Sequence, residues 1–395
     1  MRVRTLTMSV VAVGAVLTLA ACSSDAGTTA GGTSVVPAKQ NATPSEGAAK
    51  PGESLVGAAK ATCDAGKEIP SPTGLGAPID VKSLAGQTIY SIPIDAELEF
   101  HQVGEEAMRT VSEKVGVGLV TIPSDGSQAS FRQGFEQAIN AKAGAILLNG
   151  PLPQTLEPEV EKATAAGIPV VPVHLSDRSE EVLPNHPYEA FAPFNDAAAL
   201  MTRCAIADLG GEPLNALLVE ASETGPSAGM VKAIQSVIAD SAPEGSTATV
   251  INAPVDKWAT EIQPAVESAL RAGPSINTVL PIYDSMALFA VPGIKEAAPE
   301  RDIGIYTFNG TPAVMALIPE GTVRVDVAEN PDWVAHVNID TAFRAMLKVP
   351  PAPLAQNEIR VIDASNVAET GNPPAVGKGF GNEYAAAYMK LWGLG

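Results

Sequence analysis

The chain has 395 residues, 46% of them hydrophobic and 17% charged, with a formal net charge of −19. On a soft scale of ~150 residues per domain, the length leaves room for two domains after any terminal extension. The acidic balance and the lack of a basic patch exclude nucleic acid as an expected partner.

The first segment, Met1 to Cys22, opens with Arg2 and Arg4, continues through an apolar run from Val10 to Ala21, and closes on Leu19-Ala20-Ala21-Cys22. The apolar run is shorter than the about 20 residues a bilayer span needs, and the plan is that of a secretory signal. Its end resembles a bacterial lipobox, which implies that Cys22 becomes a lipid-bearing N-terminus on the outer face of the cell membrane. Several acyl chains, at ~0.8 kcal/mol per buried CH₂, would make that anchor stable. A plain signal with an accidental cysteine is the alternative. Residues 23–85 read as a flexible tether and N-terminal extension. Ser23–Lys60 in particular is built from Ala, Gly, Ser, Thr and Pro, and such composition cannot repay its ordering entropy. Cys63 and Cys204 remain, and an exported compartment permits a disulfide between them; two unpaired thiols are the other reading.

From Gly86 the chain alternates short β-branched runs with amphipathic stretches. Gln87–Ile94 reads as a strand and Glu99–Gly116 as a helix, with Phe100, Val103, Ala107, Met108, Val111 and Val115 near helical spacing. Val117–Ile122, Ala145–Gly150 and Ile168–Leu175 are strands. Between them, Ser127–Gly144 is a helix and Thr155–Pro169 a helix and turn. The cycle resumes with a helix over Asn195–Leu209, capped by Asn195 or Asp196. Strands then fall near Asn215–Ser222, Ala248–Ala253, Asn277–Asp284, Asp302–Gly310, Val323–Asn330 and Glu358–Val367. Helices fall at Ser227–Ala239, Glu261–Ala272, Ser285–Ala297, Trp333–Leu347 and Gly379–Leu391, with Asp284 expected to cap the third of these, and Thr311–Gly321 is a short helix. Alternation of this kind predicts an α/β fold of parallel sheets covered on both faces. About five strands per half fit two doubly wound lobes better than one sheet. A single eight-stranded barrel is the rival, disfavoured by the irregular Ser176–Pro193 passage.

No G-x-S-x-G elbow, H-E-x-x-H, C-x-x-C or P-loop is present, and the four histidines are scattered, so neither catalytic residues, nor a metal site, nor a cofactor is expected. Instead, polar and aromatic residues recur just past the predicted strands: Asp95, Glu97 and Phe100, then Asn149, His174, Tyr283, Asp284, Asn309 and Glu329. Open α/β sheets bind ligands outside the carboxyl ends of their strands, and two lobes facing each other there would enclose a cleft.

The segments AGAILLNG…TAAGIPVVPV, VLPIYDSMALFAVPGIKEA and IGIYTFNGTPAVMALIPEGTVRVDVAENP resemble, in series, the periplasmic-binding-protein type I family, the ribose- and galactose-binding receptors of ABC importers. The resemblance covers about Gly86 to Val367. It implies two doubly wound parallel-sheet lobes joined by a three-strand hinge, with residues 86–188 plus 331–356 in lobe one and 189–330 plus 357–395 in lobe two. It implies a monomer that closes on one small molecule and hands it to a membrane ABC permease, without catalysis. A ligand sensor for a membrane receptor or kinase, or an anchored hydrolase, would use other partners.

By the same resemblance, the ligand-binding positions are Glu97, Phe100, His101, Asn149, His174, Met230, Trp258, Tyr283, Asn309 and Glu329. Phe100, His101 and Trp258 stand where the family stacks aromatics on sugar, and Asn309 and Glu329 stand where it has Asp and Gln. His174-Leu175, Tyr283 and Met230 replace an Asp-Arg pair, an Asn and an Arg. The implied pocket is therefore less polar and more aromatic than the ribose pattern, suiting a sugar, a modified or sugar-like solute, a polyol, an aromatic compound or a cation. Trp333 and His336 are expected to be structural.

Overall fold

A computed structural model describes residues 51–352 and 357–395. The signal, Cys22 and the first part of the tether lie outside the described residues. Two separate sheets form. The first joins β1 (Thr88–Pro93), β2 (Gly118–Thr121), β3 (Ala145–Asn149), β4 (Val170–Asp177) and β5 (Ala190–Ala192) in the order β2-β1-β3-β4-β5, every pair parallel. The second joins β6 (Asn215–Glu220), β7 (Thr247–Asn252), β8 (Thr278–Pro281), β9 (Gly304–Asn309), β10 (Val323–Ala328) and β11 (Arg360–Asp363) in the order β11-β10-β9-β8-β6-β7. Only β11 runs antiparallel to its neighbour. These are doubly wound orders, each reversing direction at a switch point: between β1 and β3, and between β6 and β8.

The strands read as near-continuous apolar runs because helices cover both faces. Ile146, Leu147 and Leu148 of β3 are fully buried, as are Leu217, Leu218 and Val219 of β6. In the first lobe, α2 (Glu99–Glu113) lies under one face, and α3 (Gln128–Asn140) and α4 (Glu157–Ala165) place Phe131, Phe135 and Ala163 against Ile92, Ile146 and Leu148 on the other. In the second, α5 (Phe194–Asp208), α6 (Ser227–Ser241), α7 (Trp258–Ala272), α8 (Ala287–Ala297) and the single turn α9 (Pro312–Met315) surround the sheet. The helix α10 (Pro331–Leu347) returns to pack along α2 of the first lobe.

Several boundaries differ from the sequence reading. β5 adds to the first sheet, so the first crossover falls past Ala192 rather than after Tyr188. The terminal helix α11 (Glu383–Leu391) docks on α10, not on the second lobe. Trp333 stacks on Tyr384 at 4.8 Å, His336 sits among Tyr384, Tyr388 and Trp392, and Trp392 Nε1 donates to Asp340 Oδ1 at 2.7 Å. These rings make α11 part of the first lobe's core, which is why both Trp333 and His336 are buried. The helix α5 is not capped by Asn195 or Asp196; the backbone N–H of Asn195 instead donates to Asp177 Oδ2 at 2.7 Å, tying the crossover to β4.

The tether also ends earlier than its composition suggests. α1 (Pro51–Ala65) is helical and packs on α5, burying Ala59 and Cys63. Alanine favours helix strongly enough for a short stretch to form once one face is covered. Cys63 and Cys204 are joined in a disulfide with Cα atoms 5.1 Å apart, fastening α1 to the second lobe. The chain then crosses between lobes. The Gly66 carbonyl accepts from Val361 N–H and the Lys67 carbonyl from Arg360 Nε on β11. Farther on, the carbonyls of Leu75 and Ala77 accept from Arg344 Nη2 on α10, and Ile79 N–H donates to Leu391 O of α11.

Candidate functional site

The carboxyl ends of the two sheets face each other across a narrow crevice with a cavity volume of about 60 Å³. Each lining residue follows from a strand end. After β1 come Ile94, Leu98, Phe100 and His101, and after β3 comes Gly150. β4 supplies His174 and Leu175, while the start of α5 supplies Phe194. The loop after β6 brings Thr224 and Pro226, that after β7 brings Val255 and Trp258, and that after β8 brings Tyr283 and Ser285. Asn309 ends β9. The switch points therefore place the crevice, as the sheet topology requires.

Two of these residues hold unusual backbones. His174 has φ 52° and Asn309 has φ 152°, in the positive-φ territory that non-glycine residues seldom occupy. Strain of this kind persists where the surroundings over-determine it, and it clusters at ligand sites. Next to Asn309, Gly310 has φ 85°, and a Cβ there would lie 2.5 Å from the Glu329 carbonyl oxygen, so the β9–α9 turn needs glycine.

The lining is mostly aromatic. Phe100 lies 5.0 Å from His174, which makes an edge contact with Phe194 at 4.9 Å. Across the crevice Trp258 leans on Tyr283 at 6.1 Å. Several polar edges are already occupied within the protein. Trp258 Nε1 donates to Ala253 O at 2.9 Å, the Tyr283 and Thr224 hydroxyls pair at 2.9 Å, and Ser285 Oγ donates to Asp284 Oδ1 at 3.3 Å. Two others are free: Asn309 Oδ1 and His101 Nδ1 are buried and lack a hydrogen-bond partner. Burial, with the neighbouring His174 ring adding to it, lowers the His101 pKa to about 3, so the ring is neutral.

Buried carboxyls stand behind both walls. Glu105 accepts from Ser91 Oγ at 2.7 Å, Thr121 Oγ1 at 3.0 Å and Asn149 Nδ2 at 3.1 Å. Burial raises its pKa, and those three bonds oppose the rise. In the second lobe Asp284 accepts from the Thr311 N–H at 2.6 Å and hydroxyl at 2.7 Å. It therefore braces the turn after β9 instead of capping α8. Burial pushes Asp284 up to about 7, and burial together with Asp284 pushes Asp326 up well above its usual range.

Of the residues expected to bind ligand, Phe100, His101, His174, Trp258, Tyr283 and Asn309 meet at the crevice. The other four do not line it. Glu97 is exposed on the rim. Asn149 is turned toward Glu105. Met230 is fully buried in the core packing of α6, because its helix face points at the sheet. Glu329 is 1% exposed, with Oε2 2.7 Å from His174 Nε2 and Oε1 accepting from Asn357 Nδ2 at 2.8 Å, so it pins the inter-lobe passages together. Sequence reasoning missed Leu98, Phe194, Thr224 and Val255 and named Leu175 only as a departure from the family pattern. Their small or apolar side chains carry no signal beyond standing next to a strand end. Among the described residues no group of three or more His, Cys, Asp or Glu could hold a metal ion, and no helix is long and apolar enough to cross a membrane.

The family model described as periplasmic binding protein domain matches residues 89–348. The chain belongs to this family of solute-binding proteins, with the type I architecture of two parallel-sheet lobes. Solved structures share the fold at low identity. A 5-methylthioribose transporter solute-binding protein of Thermotoga lettingae, in complex with 5-methylthioribose, is 17% identical, with 80% of this chain and 99% of that one covered and a TM-score of 0.63. A protein from Mycobacterium smegmatis in complex with β-D-fucofuranose is 17% identical over 77% and 98%, with a TM-score of 0.62. An ABC transporter solute-binding protein of Actinobacillus succinogenes with bound D-allose is 16% identical over 71% and 99%, with a TM-score of 0.61. No curated protein is matched.

Proposed function

We infer that the protein is a lipid-anchored, extracytoplasmic sugar receptor of an ABC importer, and not an enzyme. The observation that carries this reading is the crevice itself: aromatic faces from both lobes, with Asn309 Oδ1 and His101 Nδ1 left unpaired between them. Aromatic faces suit the C–H side of a sugar ring, and buried unpaired polar atoms gain most from a ligand hydroxyl. The sugars named for the structural relatives support the same class. Contacts from both lobes exist together only when the crevice is closed, so ligand shifts the population toward that state. The lipobox-like end of the signal supports anchoring through Cys22, and the family's role supports delivery to a membrane permease.

Calorimetry of the purified protein with a panel of pentoses, hexoses and polyols tests the capture step. Saturable one-to-one binding without product formation is the expected outcome. Turnover of any panel member would overturn the non-enzymatic reading. Cys22→Ser should move the protein from the membrane fraction to the soluble one, and retention in the membrane would overturn the anchor.

A further inference from the structure

Among the described residues, no Asp, Glu, Lys or Arg side chain lines the crevice. The acids nearby are occupied behind it: Asp284 by Thr311, Glu105 by Ser91, Thr121 and Asn149, and Glu329 by His174 and Asn357. A charged solute entering here would be desolvated with no counter-charge in reach, which a binding site does not tolerate.

The free hydrogen-bonding capacity is also small. The Trp258 N–H is committed inside the protein, and the Tyr283 and Ser285 hydroxyl protons are used there, which leaves those two oxygens only as acceptors. Asn309 Oδ1 is an unpaired acceptor, and neutral His101 offers one lone pair and one N–H. His174 Nε2 lies 2.7 Å from Glu329 Oε2 and so carries its proton there, which leaves the Nδ1 edge of the ring for a solute. A solute hydroxyl laid against Ile94, Leu98, Leu175, Pro226 or Val255 would find no side-chain partner there, and each buried hydroxyl without a partner weakens binding. Leu98, Leu175 and Val255 fill the remaining wall and pair only with carbon.

Resting on the sugar-capture reading, we propose that the crevice selects neutral, sparsely hydroxylated sugars carrying an apolar substituent, and rejects both charged solutes and the parent sugars. The class is deoxy or O-alkylated pentoses and hexoses. Asn309, His101 and His174 hold the few hydroxyls, and the leucine and valine wall takes the apolar end.

Matched pairs titrated into the purified protein test this: D-ribose against 5-deoxy-D-ribose, D-galactose against 6-deoxy-D-galactose, and D-glucose against methyl β-D-glucoside, with D-glucosamine and D-glucuronate as charged probes. The less polar member of at least one pair should bind about tenfold tighter or better than its parent, and the charged probes should not bind at all. Equal or tighter binding of the parent in every pair, or saturable binding of either charged probe, overturns the selectivity while leaving sugar capture standing. Silence from every sugar overturns both. Leu175→Asn should narrow the preference within the preferred pair at unchanged melting temperature; an unchanged preference removes the apolar wall from the argument.

Discussion

Behind the first wall of the crevice one carboxylate, Glu105, is buried among three donors, whereas behind the second wall two carboxyls, Asp284 and Asp326, are buried together. Glu105 is satisfied by bonds that favour its charged form. Asp284 uses Thr311 in the same way, but Asp326 is met by the Gly310 N–H on Oδ1 at 3.2 Å and shares its pocket with the Asp284 carboxyl. Two like charges in one apolar pocket cannot both persist, so that pair keeps a proton near neutrality. Burial thus raises the pKa of the buried acids in both lobes; the first opposes that rise with three side-chain donors, whereas the second adds to it by setting two carboxyls side by side.

Glu105→Leu attacks the first arrangement and should have the largest effect. It leaves the Ser91 and Thr121 hydroxyls and the Asn149 amide without their acceptor, at a cost of roughly 3 kcal/mol in denaturant-induced unfolding. A loss below about 1 kcal/mol would mean that the network contributes little. Trp258→Ala, on the second wall, should lose roughly 1–3 kcal/mol of ligand affinity if the indole stacks on the sugar. Calorimetry on a variant with near-native circular dichroism checks it, and unchanged affinity removes the stacking role.

Asp326→Asn sharpens the contrast through pH. The folded pKa of Asp284 is raised to about 7 from the ordinary value of 3.8, so the native state binds the proton more tightly than the unfolded chain. Its contribution is therefore fully present below about pH 4 and is lost as pH rises toward 7. Removing the neighbouring carboxyl should lessen that loss, so the variant's melting temperature should gain on the parent's more at pH 8 than at pH 5. Equal differences at the two values would show that the pair does not titrate together.

The smallest effect is expected at His101. Its pKa is lowered to about 3 from 6.5, so its contribution is present above 6.5 and is lost as pH falls toward 3. His101→Phe should flatten the acid side of the stability profile. A profile as steep as before would assign that limb to other groups, such as His186, whose pKa burial also lowers.

Much of this architecture was legible in the chain. The alternation from Gln87 onward gave the strands, because buried parallel strands leave no choice but β-branched runs, and the glycines after them mark the corners. Strand ends also pointed to the crevice through Phe100, His174, Tyr283 and Asn309. What stayed hidden depends on side-chain direction across long sequence distances. Nothing near Met230 says that its helix face turns inward, and nothing near Glu329 says that His174 and Asn357 converge on it. Likewise α1 looked like tether because its alanines are as compatible with a linker as with a helix; only the surface of α5 decides between them. The short strand β5, in an otherwise irregular passage, is defined by pairing with β4 and not by its own three residues.

The strap between Lys67 and Leu75 has a mechanical consequence. One end is held on β11 and close to the Cys63–Cys204 crosslink, the other by the guanidinium of Arg344. Eight residues reach at most about 28 Å even when pulled straight. The strap therefore ties the two lobes at a second place beside the passages, and no relative displacement of its two anchor points can exceed that reach while both ends hold.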